Sequence, residues 1–381
     1  MSVLPPFPVT TVGSWPRPPE LLASLRALRA GERSRARHER AVDEAVRGAV
    51  AAQQRAGVDL VTDGEQGRDN FYSFVAERVE GVRLMTLAEM LEYVEDKEGF
   101  SRLLDTLDVP AFSIRNPTCT GRVRAREPLA RQDLERLRRH TDRPVKVTLP
   151  GPYLLTRAMW VPEVSREAYE SKEALGRDVV VLLREEVAGL AAAGADFIQL
   201  DEPVLTELVF SQGRTRTFMC ASLATRGDPT DELRWAADML REVLAPAGAT
   251  RTGLHVCRGN WSRDERTLLR GGYAPLAAWL DQVPVTQLVL EYATPRAGDV
   301  LPAGDKELGL GVVNPRSADV EAPEQIVARV EAASRVVPRH QLFLNPDCGF
   351  GTFSARPVND ATTAERKLAA MVEAARRLRQ A

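Results

Sequence analysis

The strongest constraint on the fold is an alternation. Eight short runs of β-branched and large apolar residues recur along the chain: Val9–Val12, Val58–Thr62, Val145–Leu149, Phe197–Leu200, Thr252–Val256, Gln287–Glu291, Leu308–Val313 and Gln341–Asn345. Between them lie stretches rich in Ala, Leu, Arg and Glu with helical spacing, near 38–56, 165–194, 229–246, 263–281, 321–336 and 360–379. Strand followed by amphipathic helix, repeated, builds a parallel sheet, because parallel neighbours need a crossover long enough to be a helix. Eight such units fit a (β/α)8 TIM barrel. A doubly wound open sheet is the rival. The turn after the first run reads Val12-Gly13-Ser14-Trp15-Pro16, however, without the glycine-rich phosphate loop of that fold. The expected fold is therefore α/β, a single TIM-barrel domain over residues 1–381.

One connection is too long for one helix. The stretch from Thr62 to Val145 holds a helical candidate at 86–106 and two short apolar runs around "VPAFSIRNPTCTGRVRA". The expectation is an inserted helical arm and hairpin between strands 2 and 3, over residues 80–140, capping the barrel mouth.

Charge excludes several partner classes. The 381 residues carry 51 basic and 53 acidic side chains, a net charge of -2, so no cationic surplus points to nucleic acid or an anionic membrane surface. No apolar run reaches the roughly 18 residues of a membrane span. The first residues, "MSVLPPFP", have neither the basic nor the apolar region of a secretory leader. Four cysteines in a chain this long are no disulfide framework, so a cytoplasmic protein with reduced thiols is expected.

In a barrel of this kind, the residues just past each strand's C-terminal end build the site. Here they are Ser14, Asp63, Glu65, Asp201, Glu202, His255, Cys257, Glu291, Asn314, Asp347 and Cys348. His255 and Cys257, two apart on an extended strand end, share a face. With Glu291 and Cys348 they form a His/Cys/Glu/Cys set drawn from three strand ends, the ligand types that suit Zn2+. A thiolate-rich zinc site is a poor hydroxide generator. It suits holding a substrate thiol as a reactive thiolate, with Glu291 as the ligand that yields. Glu65 and Asp201 are expected to bind a substrate ammonium or to act as acid and base, against a plain salt bridge from Glu65 to Arg68. Ser14 offers its hydroxyl and backbone N–H to a carboxylate. Cys119 and Cys220 have no partner at ligand spacing, and His38, His140 and His340 read as surface residues.

The motifs "TTVGSWPR", "VTDGEQGRDNF", "LPGPY", "IQLDEPVLTE", "LHVCRGN", "LVLEY" and "NPDCGFGT" run in order from about residue 9 to residue 353. In this the chain resembles the catalytic half of the cobalamin-independent methionine synthase family. The resemblance implies a TIM barrel and an S-methyltransferase that moves a methyl group to homocysteine. It implies that His255, Cys257, Glu291 and Cys348 ligate zinc. Val12, Gly13 and Ser14 would hold the homocysteine carboxylate, and Glu65 and Asp201 its ammonium. On the donor side it implies roles for Glu207 and, near the family's stacking tryptophan, Trp160. Two family motifs read differently here. "SIRNPTC" stands where the family has an Arg-Cys folate motif, and "VVNPRS" places Asn314 where the family has a histidine. The implied donor is 5-methyltetrahydrofolate or a methyl-corrinoid protein. Two other readings stay open: zinc-dependent alkyl transfer to another thiol, as in epoxyalkane:coenzyme M transferases, and a metal-free barrel of the uroporphyrinogen decarboxylase kind.

Overall fold

The computed structural model describes residues 4–93, 97–98, 115–210, 227–265, 268–354 and 357–380. Six parallel strands run in sequential order: β3 (Lys146–Pro150), β4 (Phe197–Asp201), β5 (Arg251–Val256), β6 (Gln287–Leu290), β7 (Glu307–Val313) and β8 (Leu342–Pro346). The first two candidate runs take part through single parallel bridges. Val9 pairs with Leu344, Thr10 with Leu60, and Val61 with Val145. These bridges link the two short segments to β8 on one side and β3 on the other, giving a TIM-barrel-like circuit of the eight expected runs.

Local chemistry explains the strand entries. Helix Arg35–Ala56 ends at Gly57, whose φ of 92° puts it in the left-handed region while its N–H reaches the carbonyls of Gln53 and Gln54. Helix Lys172–Ala192 starts at Ser171, whose hydroxyl accepts from the Ala174 N–H, and Gly194 beyond its end has φ 80°. Both glycines make the turn into the next strand without the penalty a Cβ would bring. Apart from the half-buried Arg251 and Glu307 at the starts of β5 and β7, the strands are buried, as expected of a parallel sheet covered by helices.

The long connection contains an antiparallel hairpin, β1 (Val79–Thr86) with β2 (Arg115–Ala125). A bulge at Gly81, φ 75°, shifts its register. The hairpin docks on the segment after β3: Asn116 Nδ2 donates to the Ala158 carbonyl at 2.7 Å, and the Val123 N–H to Tyr169 Oη at 2.8 Å. The rest of the 80–140 range includes helix Arg131–Arg138, which packs beside the Arg35–Ala56 helix as an ordinary crossover. Most of the helical candidate at 86–106 lies outside the described residues, as does Cys220. Its described start is one helical turn, Leu87–Met90, continued by a 3-10 turn, Leu91–Tyr93.

Two helical expectations change. The stretch near 263–281 is helical only in pieces among its described residues: Ala274–Leu276 and Ala277–Gln282 follow an irregular 268–273. Adjacent Gly271 and Gly272 break it, and the Gly271 carbonyl instead accepts from Arg258 Nε at 2.6 Å. Helix Pro19–Arg29 is additional, starting with proline in its first turn, where a missing N–H costs nothing. His38 is buried against it, with Nδ1 3.0 Å from Ser24 Oγ, so it is not the surface residue expected, whereas His340 is exposed.

Candidate active site

The strand ends meet in one cleft lined by Val12, Ser14, Glu65, Asp201, His255, Cys257 and Cys348. The ligand atoms of His255, Cys257 and Cys348 lie within 4.8 Å of one another, and all three side chains are buried. His255 Nδ1 lies 2.9 Å from Asp201 Oδ1, while Nε2 is buried with no hydrogen-bond partner. An unpartnered buried ring nitrogen beside two sulfurs is a costly arrangement unless an ion completes it. Three protein donors with a free position match the pattern of catalytic zinc sites.

Glu291, expected as a fourth ligand, lies outside this group in the metal-free structure. Two buried guanidinium groups hold its carboxylate: Arg258 Nη1 at 3.2 Å, and Arg296 Nη2 at 3.2–3.3 Å. The Arg258 backbone N–H at 3.2 Å and the Asn260 carboxamide also donate to it. Two full positive charges at hydrogen-bond distance hold the carboxylate where it is.

The pair of thiols is electrically asymmetric. The hydrogen bond with Cys348, helped by the neighbouring imidazolium, brings Cys257 down to about 6. The same bond, with burial, pushes Cys348 well above the ordinary thiol range. Burial works against a charged His255, but the Cys257 thiolate and Asp201 outweigh it and raise the ring to about 10. The metal-free site at pH 7 is therefore an imidazolium, a thiolate and a thiol. A metal needs all three deprotonated, so loading a divalent ion at pH 7 is expected to release about two protons per site. Metal affinity should rise with pH through the neutral range, and more steeply below about 6, where Cys257 also holds its proton. Calorimetric titration in buffers of different ionisation enthalpy measures that number directly.

The amino-acid side of the cleft is built by the first two segments. Glu65 has φ 55°, the left-handed region, which costs a non-glycine residue on the order of 1 kcal/mol. Three contacts hold it there. Its N–H donates to Asp63 Oδ1 at 3.0 Å, its carbonyl accepts from Arg17 Nη2 at 2.8 Å, and its Oε1 accepts from Thr148 Oγ1 at 2.9 Å. Oε2 is buried without a partner. Arg68 does not form the salt bridge weighed as an alternative for Glu65; it pairs with Asp133 at 3.1 Å. Gly13 packs so closely on Glu65 that a Cβ there would collide with Oε1. Ser14 sits against Gly349 and Gly351, accepting the Gly351 N–H at 3.3 Å. Arg17 donates to the Gly351 carbonyl as well as to Glu65, joining the turn of Glu65 to the loop of Cys348.

A model of the "Cobalamin-independent synthase, Catalytic domain" family matches residues 7–377. The chain belongs to this family. Among its synthase relatives, a methionine synthase of Saccharolobus solfataricus is 28% identical over 386 residues, covering 100% of this chain and 97% of the relative. A methionine synthase of Thermococcus kodakarensis is 27% identical, covering 93% and 89%. A 5-methyltetrahydropteroyltriglutamate–homocysteine methyltransferase of Mycobacterium bovis is 28% identical over 99% of this chain, which spans only 43% of that longer protein. The solved B12-independent methionine synthase of Shewanella sp. W3-18-1 superposes with a TM-score of 0.71 at 20% identity, covering 98% of both chains.

Three residues that the synthase resemblance assigned to the donor side do not line the cleft. Trp160 is buried at the end of helix Pro152–Met159, and Glu207 is fully buried on helix Leu205–Phe210. Asn314 spends its carboxamide oxygen on the Arg316 N–H at 3.0 Å. The cleft wall is instead Phe71, Tyr72, Trp261 and Phe353, together with Asn260. None of these was expected. Their signal was present in "GRDNFY", "RGNW" and "FGTF", where aromatic residues follow the polar strand ends directly.

Proposed function

We propose that this chain is a zinc-dependent methyltransferase that transfers a methyl group to the thiol of homocysteine. The observation that carries this reading is one cleft combining a buried His/Cys/Cys cluster with Ser14, Glu65 and Asp201. His255, Cys257 and Cys348 hold the ion. Zinc bound there supplies Lewis acidity that lowers a substrate thiol's pKa and keeps it nucleophilic. Glu65 and Asp201 take the substrate ammonium, with Glu65 Oε2 as the acceptor left over by its other contacts. Ser14 and the Val12–Gly13 backbone take the carboxylate. Burial of these groups strengthens each charge interaction by excluding water. Glu291 keeps Arg258 and Arg296 neutralised beside the cluster rather than serving as a resting ligand.

The donor is 5-methyltetrahydrofolate. The aromatic wall of Phe71, Tyr72, Trp261 and Phe353 favours a flat heteroaromatic donor over a methyl-corrinoid protein. Coenzyme M fits less well, because a sulfonate thiol has no ammonium for Glu65 and Asp201. Metal analysis and zinc-edge X-ray absorption, with and without homocysteine, test the reading. One zinc per chain that gains a sulfur neighbour on adding homocysteine is the expected result. Zinc indifferent to homocysteine transfers the chemistry to another thiol, and a protein that takes up no zinc overturns the mechanism in favour of a metal-free barrel.

A further inference from the structure

Below the cluster, a line of buried polar side chains runs across three neighbouring strands of the barrel. Lys146 on β3 donates through Nζ to Gln199 Oε1 at 3.1 Å and to the Thr11 carbonyl. Gln199 on β4 donates through Nε2 to Asp201 Oδ1 at 2.8 Å. The same Oδ1 lies 2.9 Å from His255 Nδ1 on β5. All four side chains are buried, and Asp201 and His255 stand side by side in the strand register.

This line has a direction. Burial lowers Lys146 to about 7, and charged or neutral its Nζ keeps N–H groups for both the Thr11 carbonyl and Gln199 Oε1, so the oxygen end of the Gln199 carboxamide faces it. The carboxamide then must present N–H to Asp201. Asp201, a carboxylate, only accepts, so the proton between it and His255 sits on Nδ1. The imidazole is left to offer Nε2 to the cluster, and Nε2 is the ring atom without a partner. Without Lys146 the Gln199 amide could flip and point its oxygen at Asp201. The carboxylate would then lose a donor and its fixed rotamer.

We propose that Lys146 and Gln199 are positioning residues that set the tautomer and orientation of His255, and so tune metal binding from the barrel interior. The proposal rests on the metal-site reading above. Partners of a metal-bound histidine change metal affinity by about 10–100-fold when removed. Gln199→Leu and Gln199→Met keep volume and lose the amide; Lys146→Met removes the first donor. The test measures zinc affinity by competition with a chromogenic chelator, alongside 15N spectra of the histidine rings of the metal-free protein and the melting temperature.

The expected result for Gln199→Met is a zinc affinity about 10–100-fold weaker, with the His255 Nδ1–H signal of the metal-free protein shifted as its hydrogen bond to Asp201 loosens. A melting temperature that falls while zinc affinity and the His255 signals stay as in the wild type overturns the proposal, since that is what packing alone predicts. If Lys146→Met fails to fold, the two Gln199 variants carry the test. Wild-type protein that binds no zinc rejects the metal site itself. The His255 spectrum still reads the Nδ1–H hydrogen bond to Asp201 in that case, and an Nδ1–H signal that Gln199→Met leaves unmoved rejects the positioning role independently.

Discussion

Cys257→Ser should lose its metal and its activity together. Cys257 is the thiol already held as a thiolate at neutral pH, at about 6, and it lies between His255 and Cys348 in the cluster. A hydroxyl in its place is not deprotonated and is a hard, weak donor to zinc. Structural zinc sites with four protein ligands bind with about 10–16 kcal/mol, so on that scale one ligand accounts for roughly 3–4 kcal/mol, an affinity loss of about 10²–10³-fold. Dialysis against a chelator followed by metal analysis should find the variant empty where the wild type retains one ion. A variant that keeps zinc and full turnover would remove Cys257 from the ligand set.

Glu65→Gln is the second large effect, and it should fall on the amino-acid end of the substrate. The amide matches the carboxylate in shape and can still accept from Thr148 Oγ1 through its oxygen, so the fold is kept. The negative charge opposite the ammonium is gone. Removing one partner of a buried charge pair costs about 2–5 kcal/mol, so KM for homocysteine should rise by roughly 10²-fold, with kcat much less affected. Burial raises the Glu65 carboxyl above its ordinary range, against the opposing pull of Arg68. A carboxyl raised in this way becomes ionised only at higher pH. Amine binding should therefore strengthen as pH rises through that range, and the dependence should vanish in Glu65→Gln. An unchanged KM would move the ammonium contact to Asp201 alone.

The barrel was legible because its strands are buried on both faces. Leu308–Val313 reads as a continuous apolar run and Phe197–Leu200 as one broken only by Gln199, and the structure has strands at Phe197–Asp201 and Glu307–Val313. The metal group was legible because strand-end position and ligand chemistry coincide at His255, Cys257 and Cys348. The division of labour among neighbouring acids was not. Asp63, Glu202 and Asp347 stand beside Glu65, Asp201 and Cys348, yet each satisfies backbone N–H groups instead. Asp63 accepts from Glu65, Glu202 from Tyr153 and Leu154, and Asp347 from Tyr292 and Ala293. The Asp63 turn is local, but the donors to Glu202 and Asp347 lie 48–55 residues away, which no local pattern encodes. The fate of Glu291 was hidden for the same reason, since Arg296 and Arg258 reach it only once the loops after β5 and β6 have folded together.

The two halves of the cleft hang from different kinds of backbone. His255, Cys257 and Cys348 follow strands of the continuous six-stranded sheet, whereas Ser14 and Glu65 follow the two segments joined to their neighbours by single bridges. Segments with few ladder bonds open at lower free energy than central strands. Amide hydrogens around Thr10 and Val61 are therefore expected to exchange faster than those of β5 and β8, which hydrogen exchange measures.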